Sequence, residues 1–108
     1  MRIISGNYKG KKILLPKDKL TRPLKDLTKE SIFNMIQHSK LLDVNLEDSN
    51  VLDLFSGVGS FGLECLSRGA KNVTFFEKDI LIICSTFVNC LVWALASYLI
   101  LACYPVLV

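Results

Sequence analysis

Residues 51–62, VLDLFSGVGSFG, constrain the fold of this chain more than any other stretch. Residues 50–55 form an apolar run without clean alternation, which fits a strand buried on both faces, as in a parallel sheet. Residues 56–60 are a glycine-rich turn, and 61–68 read as a short helix with Leu63 and Leu66 inward. Gly69 stands where a left-handed helix cap is wanted. Residues 72–77, NVTFFE, supply a second strand. Strand, helix and strand together predict a βαβ unit with a right-handed crossover and parallel strands.

Gly57, Gly59 and Gly62 satisfy G-x-G-x-x-G directly after a strand and before a helix, the setting in which that pattern carries meaning. Such glycines let backbone approach a ligand with no Cβ in the way, and the first N–H groups of the helix offer donors to it. Glu77 ends the second strand, 24 residues after Asp53. A carboxylate at that place accepts hydrogen bonds from the vicinal hydroxyls of an adenosine ribose. The unit therefore reads as a site for an adenosine cofactor, and Asp53, four residues ahead of Gly57, discriminates between candidates. It would repel a pyrophosphate and attract an ammonium, which favours S-adenosylmethionine over a nicotinamide dinucleotide. A tight strand-to-helix turn with no ligand is the plain alternative.

The 108 residues support one compact core. The net charge of +3 is concentrated at one end: residues 1–29 hold nine Lys or Arg against Asp18 and Asp26. That is the electrostatic footprint of a polyanion partner, or else an ordinary solvated face. Residues 2–15 predict a β-hairpin with lysines at its tip. Lys9, Lys11 and Lys12 around Tyr8 combine point charges for phosphates with a ring on which a base could stack; a solubilised hairpin with Tyr8 packed on the core uses the same residues differently. After the polar connector KDKLTRP, a helix is expected from Pro23 onward. Leu24, Leu27, Ser31 and Met35 form one row, thickened by Ile32 and Ile36, and Asp26 or Thr28 could cap it. His38 near its end is assigned no role.

Residues 80–108 contain no Asp, Glu, Lys, Arg or His, and 24 of these 29 are apolar. Cys84, Cys90 and Cys103 lie there and Cys65 elsewhere; no pair has metal-site spacing, and the amino terminus lacks a signal-peptide run, so reduced thiols in the cytoplasm are expected. The tail admits three readings: an out-of-frame or mis-called gene end, a membrane segment over 80–104, or a buried helix or strand pair of the same domain.

MRIISGNYKGKKILLP, TRPLKDLTKESIFNMI and VLDLFSGVGSFGLECLSRGAKNVTFFEKD, in that order, resemble the bacterial small-subunit (16S) rRNA guanine-N2 methyltransferase family. The resemblance covers residues 1–79. It implies an α/β chain: an amino-terminal β-hairpin and helix (1–49), then the first βαβ unit of a Rossmann-like, S-adenosylmethionine-dependent methyltransferase domain (50–79), truncated, with an apolar non-family tail (80–108). By the same resemblance Asp53, Ser56, Gly57, Gly59 and Gly62 match the cofactor loop and Glu77 the ribose acid. Thr21, Arg22 and Pro23, with Glu30, Phe33 and Asn34, match a block beside the cofactor and substrate cleft. Lys29 stands where the family usually has Arg, and Leu24 where it often has Thr or Ser. RNA contacts are expected from Lys9, Lys11, Lys12 and Arg22, the partner being rRNA or the small ribosomal subunit, and a monomer is expected. Such enzymes also carry Asn or Asp followed by Pro-Pro and an aromatic residue, where the target amine is held. Pro105 is the one proline after Pro23, so no catalytic residue is assigned, no metal is expected, and the chain reads as inactive in methyl transfer. The alternatives are a membrane-anchored or pseudogene-derived remnant without activity and, more distantly, a nicotinamide oxidoreductase.

Overall fold

Three parallel strands carry the architecture. β1 (Asn50–Leu54) pairs with β2 (Asn72–Glu77), and β2 pairs with β3 (Leu99–Cys103), in the order β1-β2-β3. The structure, a computed structural model, describes residues 1–15, 17, 25–79, 81–82, 84 and 99–103. β1 and β2 are in register from Asn50 opposite Asn72 to Leu54 opposite Phe76. Helix α2 (Ser60–Ser67) crosses between them, as the βαβ reading requires. It ends in a Schellman arrangement: Gly69 takes a φ of +103°, its N–H reaches the Leu66 carbonyl, and the Ala70 N–H reaches that of Cys65.

α2 packs on the sheet face that presents Val73 and Phe75, and Gly62 makes that approach possible. A Cβ there would overlap the Phe75 ring and lie 2.8 Å from the Val73 side chain. The helix is buried almost all round, because its other side is covered by the amino-terminal arm. The arm is the expected hairpin: Arg2 bridges Lys12, the Ile3 N–H donates to the Lys11 carbonyl and the Ile13 N–H to that of Met1. Ile3 and Ile13 bring its apolar side into one core with Phe33, Leu63, Val73 and Phe75, each burial stabilising by about 2 kcal/mol.

Several expectations change here. α1 (Asp26–His38) begins with Lys25 in the capping position and has no side-chain cap, so neither Asp26 nor Thr28 closes its end. Its inward face is Lys29, Ile32, Phe33 and Ile36, while Leu27 and Met35 of the expected apolar row are exposed. The stripe is rotated because Phe33, the largest apolar side chain, stacks on Phe61 of α2 at 4.9 Å and turns the helix with it. β1 is not buried on both faces: Leu52 and Leu54 are each 56% exposed. On the sheet face opposite α2, Leu52 and Leu54 are exposed while Thr74 and Phe76 are half-buried, and no described strand pairs with the second edge of β1.

The sequence pattern also predicts only two strands, whereas β3 comes from the apolar tail and extends the sheet beside β2. Of that tail, residues 99–103 join the sheet as β3. Residues 80, 83, 85–98 and 104–108 lie outside the described residues, as do 16 and 18–24. Among the described residues no helix is long and apolar enough to cross a membrane.

Candidate functional site

The carboxyl ends of β1 and β2 bring the two predicted acids to one edge of the sheet. Asp53 lies opposite Phe75 in the register, and Glu77 follows one residue beyond the Leu54 and Phe76 pair. Between them the chain leaves β1 at Phe55, which adopts a φ of +59° and is 90% exposed, and turns through Ser56 to Gly59 into α2. The Ser56 N–H donates to the Phe76 carbonyl at 2.9 Å, and the Gly59 N–H to the Ser56 carbonyl at 2.8 Å. Gly59 itself is the residue before the helix, in a left-handed conformation.

Asp53 is 8% exposed and accepts the Gly62 N–H on Oδ2 at 3.0 Å. Burial pushes its carboxyl up from 3.8 to about 6; the Gly62 N–H opposes the rise, and the negative charge of Glu77 adds to it. Glu77 is more occupied than a free ribose acceptor would be. Its Oε2 takes the Gly57 N–H at 2.9 Å, and its Oε1 takes those of Lys78 at 2.9 Å and Asp79 at 3.2 Å. A carboxylate has about four acceptor sites, so roughly one, on Oε2, is left for a ligand. Glu77 thus latches the glycine loop to the end of β2.

Two further details bear on what the loop can hold. Ser56 Oγ is buried with no hydrogen-bond partner, the one side-chain polar atom of that kind among the described residues. Leaving such a group unpaired costs about 1–3 kcal/mol, so a hydroxyl there calls for a polar partner. At Gly57, with φ +55°, an added Cβ would find nothing within 4 Å, so the loop has open space beside it. The orphaned hydroxyl, the open side of Gly57 and two crowded carboxylates fit a small ligand with hydroxyls and a positive charge. Gly62, by contrast, serves packing.

The remaining predicted residues are distributed elsewhere. Lys9, Lys11 and Lys12 are exposed on the arm, and the Lys11 ammonium lies 5.1 Å from the centre of the Tyr8 ring, which itself packs against the core. Tyr8 is therefore placed as in the solubilised-hairpin reading. Thr21, Arg22 and Pro23 lie outside the described residues. Phe33 is fully buried, with Arg68 stacked over it at 4.4 Å, and Glu30 and Asn34 are exposed.

The residue that pattern reading passed over is Glu64. Its carboxylate is fully buried and meets Lys29 at 3.5 Å and Arg68 at 3.0 Å. The signal was present, since a lone acid in the apolar run FGLECL has no reason to be there unless it is paired.

A glycine turn from a parallel strand into a helix, with an acid at the end of each of two neighbouring strands, defines the cofactor half of a Rossmann-like methyltransferase fold. The solved structure of the yhhF protein of Escherichia coli superposes with a TM-score of 0.77 at 28% identity, covering 94% of this chain and 50% of that one. The chain belongs to the family described as "Conserved hypothetical protein 95", whose profile matches residues 1–89. Among curated relatives it is 42% identical over 79 residues to the YlbH protein of Bacillus subtilis, covering 73% of this chain and 40% of that one. It is 40% identical over 79 residues to ribosomal RNA small subunit methyltransferase D of Haemophilus influenzae, covering 73% and 38%. The chain thus spans about two fifths of the length of the curated relatives it matches. The resemblance read from residues 1–79 holds, and the profile match continues ten residues into the apolar tail.

Proposed function

We propose that this chain is the cofactor-binding part of an S-adenosylmethionine-dependent rRNA methyltransferase of the guanine-N2 kind. The observation that supports this reading most directly is the loop, where Ser56 Oγ lacks a partner, the space beside Gly57 is open, and the charge of Glu77 adds to the rise at buried Asp53. Asp53 would face the methionine ammonium, which relieves the repulsion between the acids, whereas a pyrophosphate would add to it. Glu77 would accept one ribose hydroxyl on Oε2 while keeping its hold on the Gly57 N–H, and Ser56 Oγ would gain its partner. Bound there, the cofactor supplies an electrophilic methyl group.

The exposed Lys9, Lys11 and Lys12 would face rRNA of the small ribosomal subunit, and Arg22 would supply a further cation to it. This reading makes the chain a cytoplasmic monomer built from an arm (1–49), a cofactor unit (50–79) and a tail from residue 80 that adds β3.

Isothermal calorimetry on the whole chain tests the reading. Saturable heat with S-adenosylmethionine is expected, and none with NAD. A chain folded by circular dichroism that gives no heat with S-adenosylmethionine would overturn cofactor binding.

A further inference from the structure

We propose that Glu64 is a positioning residue that fixes the basic arm in one register against the helix that carries the cofactor loop. The inference rests on the reading of the arm as the RNA-facing element. Glu64 has every acceptor site filled, and from three parts of the chain. Oε2 takes the Ile4 N–H at 3.0 Å, Oε1 takes the Ser5 N–H at 3.0 Å and the Arg68 Nε–H at 3.0 Å, and the Lys29 ammonium of α1 lies 3.5 Å from Oε2. Lys29, itself fully buried, donates to the Arg2 carbonyl at 2.8 Å, so α1 holds the arm directly as well. One turn on, Ser67 Oγ donates to the Ser5 carbonyl at 2.5 Å and accepts the Tyr8 N–H at 3.0 Å, while the Ser67 carbonyl accepts the Asn7 N–H at 2.8 Å.

An apolar contact between arm and helix would tolerate sliding, but these bonds do not. A carboxylate that accepts two consecutive backbone N–H groups reads the position of the arm to a single residue. Shifting the arm by one would offer Glu64 the Ile3 N–H, which is already committed to the Lys11 carbonyl. It would also move Gly6 from the place where its backbone lies against Ser67, at which any Cβ would collide with the Ser67 carbonyl. α2 is about 12 Å long, and the N–H that Asp53 holds belongs to Gly62, two residues before Glu64. The lysines of the arm and the glycine loop are thereby referred to the same short rigid element. RNA affinity depends on Glu64 through arm geometry, and cofactor affinity does not.

The test uses the whole chain with Glu64→Gln, Ser67→Ala and the conservative Lys29→Arg, and three readouts. These are amide exchange by NMR, anisotropy of a short fluorescein-labelled RNA hairpin at low salt, and calorimetry with S-adenosylmethionine. In Glu64→Gln one of the two oxygens that hold the Ile4 and Ser5 N–H groups becomes a donor NH2, so the amides of this pair should exchange about tenfold faster while Val73 and Phe75 keep their protection. RNA affinity should fall roughly fivefold with cofactor affinity within about twofold, and Lys29→Arg should behave as the unaltered chain. Ser67→Ala buries no unpaired charge and should show the same split, smaller, with faster exchange at Tyr8; it decides alone if Glu64→Gln does not fold. Unchanged arm exchange, or RNA and cofactor affinities falling in step, would overturn the proposal. An unaltered chain giving no cofactor heat would sink the cofactor reading while the exchange and RNA readouts still decide this one.

Discussion

The two sides of α2 solve opposite problems. On the arm side, one buried carboxylate and two cations are surrounded by donors and acceptors until every group is used. On the loop side, a buried acid is pushed up to about 6, a second acid aggravates it, and a buried hydroxyl has no partner. The first is electrostatics completed within the chain. The second is left open among the described residues, and the proposed cofactor would complete it. The contrast separates what holds the fold together from what the fold is for, and both are built on the same eight-residue helix.

The contrast can be broken most forcefully at Glu64. Glu64→Leu leaves Lys29 and Arg68 buried without a counter-charge and two arm N–H groups without acceptors, and should cost about 4 kcal/mol in urea unfolding. A loss below about 1 kcal/mol would show that the arm is held by packing alone.

Asp53→Asn should act in the opposite direction on stability. The folded pKa of Asp53 lies above its unfolded value, so the folded state binds the proton more tightly. The contribution of Asp53 to stability is then highest below pH 3.8 and declines as pH rises toward about 6. Two pH units correspond to about 3 kcal/mol, so Asp53→Asn should remove that slope, gain up to about this amount at pH 7, and abolish cofactor heat. In the unaltered chain, an ammonium beside Asp53 would return its pKa downward, and cofactor affinity should rise about tenfold from pH 5 to pH 7. An Asp53→Asn variant less stable than the unaltered chain at pH 7 would show that Asp53 serves the fold. The smallest expected effect is at Ser56: Ser56→Ala should stabilise the ligand-free chain by about 1 kcal/mol in the same melts and reduce the stabilisation that cofactor confers.

The parts of this molecule legible in the sequence are those fixed by local chemistry. The glycines after an apolar strand, the acid at the end of the next strand and Gly69 at the helix end each dictate backbone nearby, and the βαβ unit follows from them. The hairpin was legible for the same reason, its turn residues lying between two short apolar runs. The orientation of α1 was not, because Leu27, Ile32, Phe33, Ile36 and Met35 offer two overlapping stripes, and a tertiary contact between Phe33 and Phe61 chooses between them. Nor was the arm-to-helix attachment, which joins residues about sixty apart through backbone N–H groups that leave no trace in side-chain pattern. β3 escaped for a third reason: a uniformly apolar segment has no period from which a strand can be read. At the site, sequence identified the acids, while the occupation of Glu77 by the loop it was expected merely to border depends on its rotamer.

Leu52 and Leu54 stand exposed on one face of the sheet, next to an edge of β1 that no described strand occupies. An apolar row beside free backbone donors and acceptors is a template for other chains. A segment laid along that edge would bury both leucines, and its arrival would set how readily the sheet associates with other polypeptides.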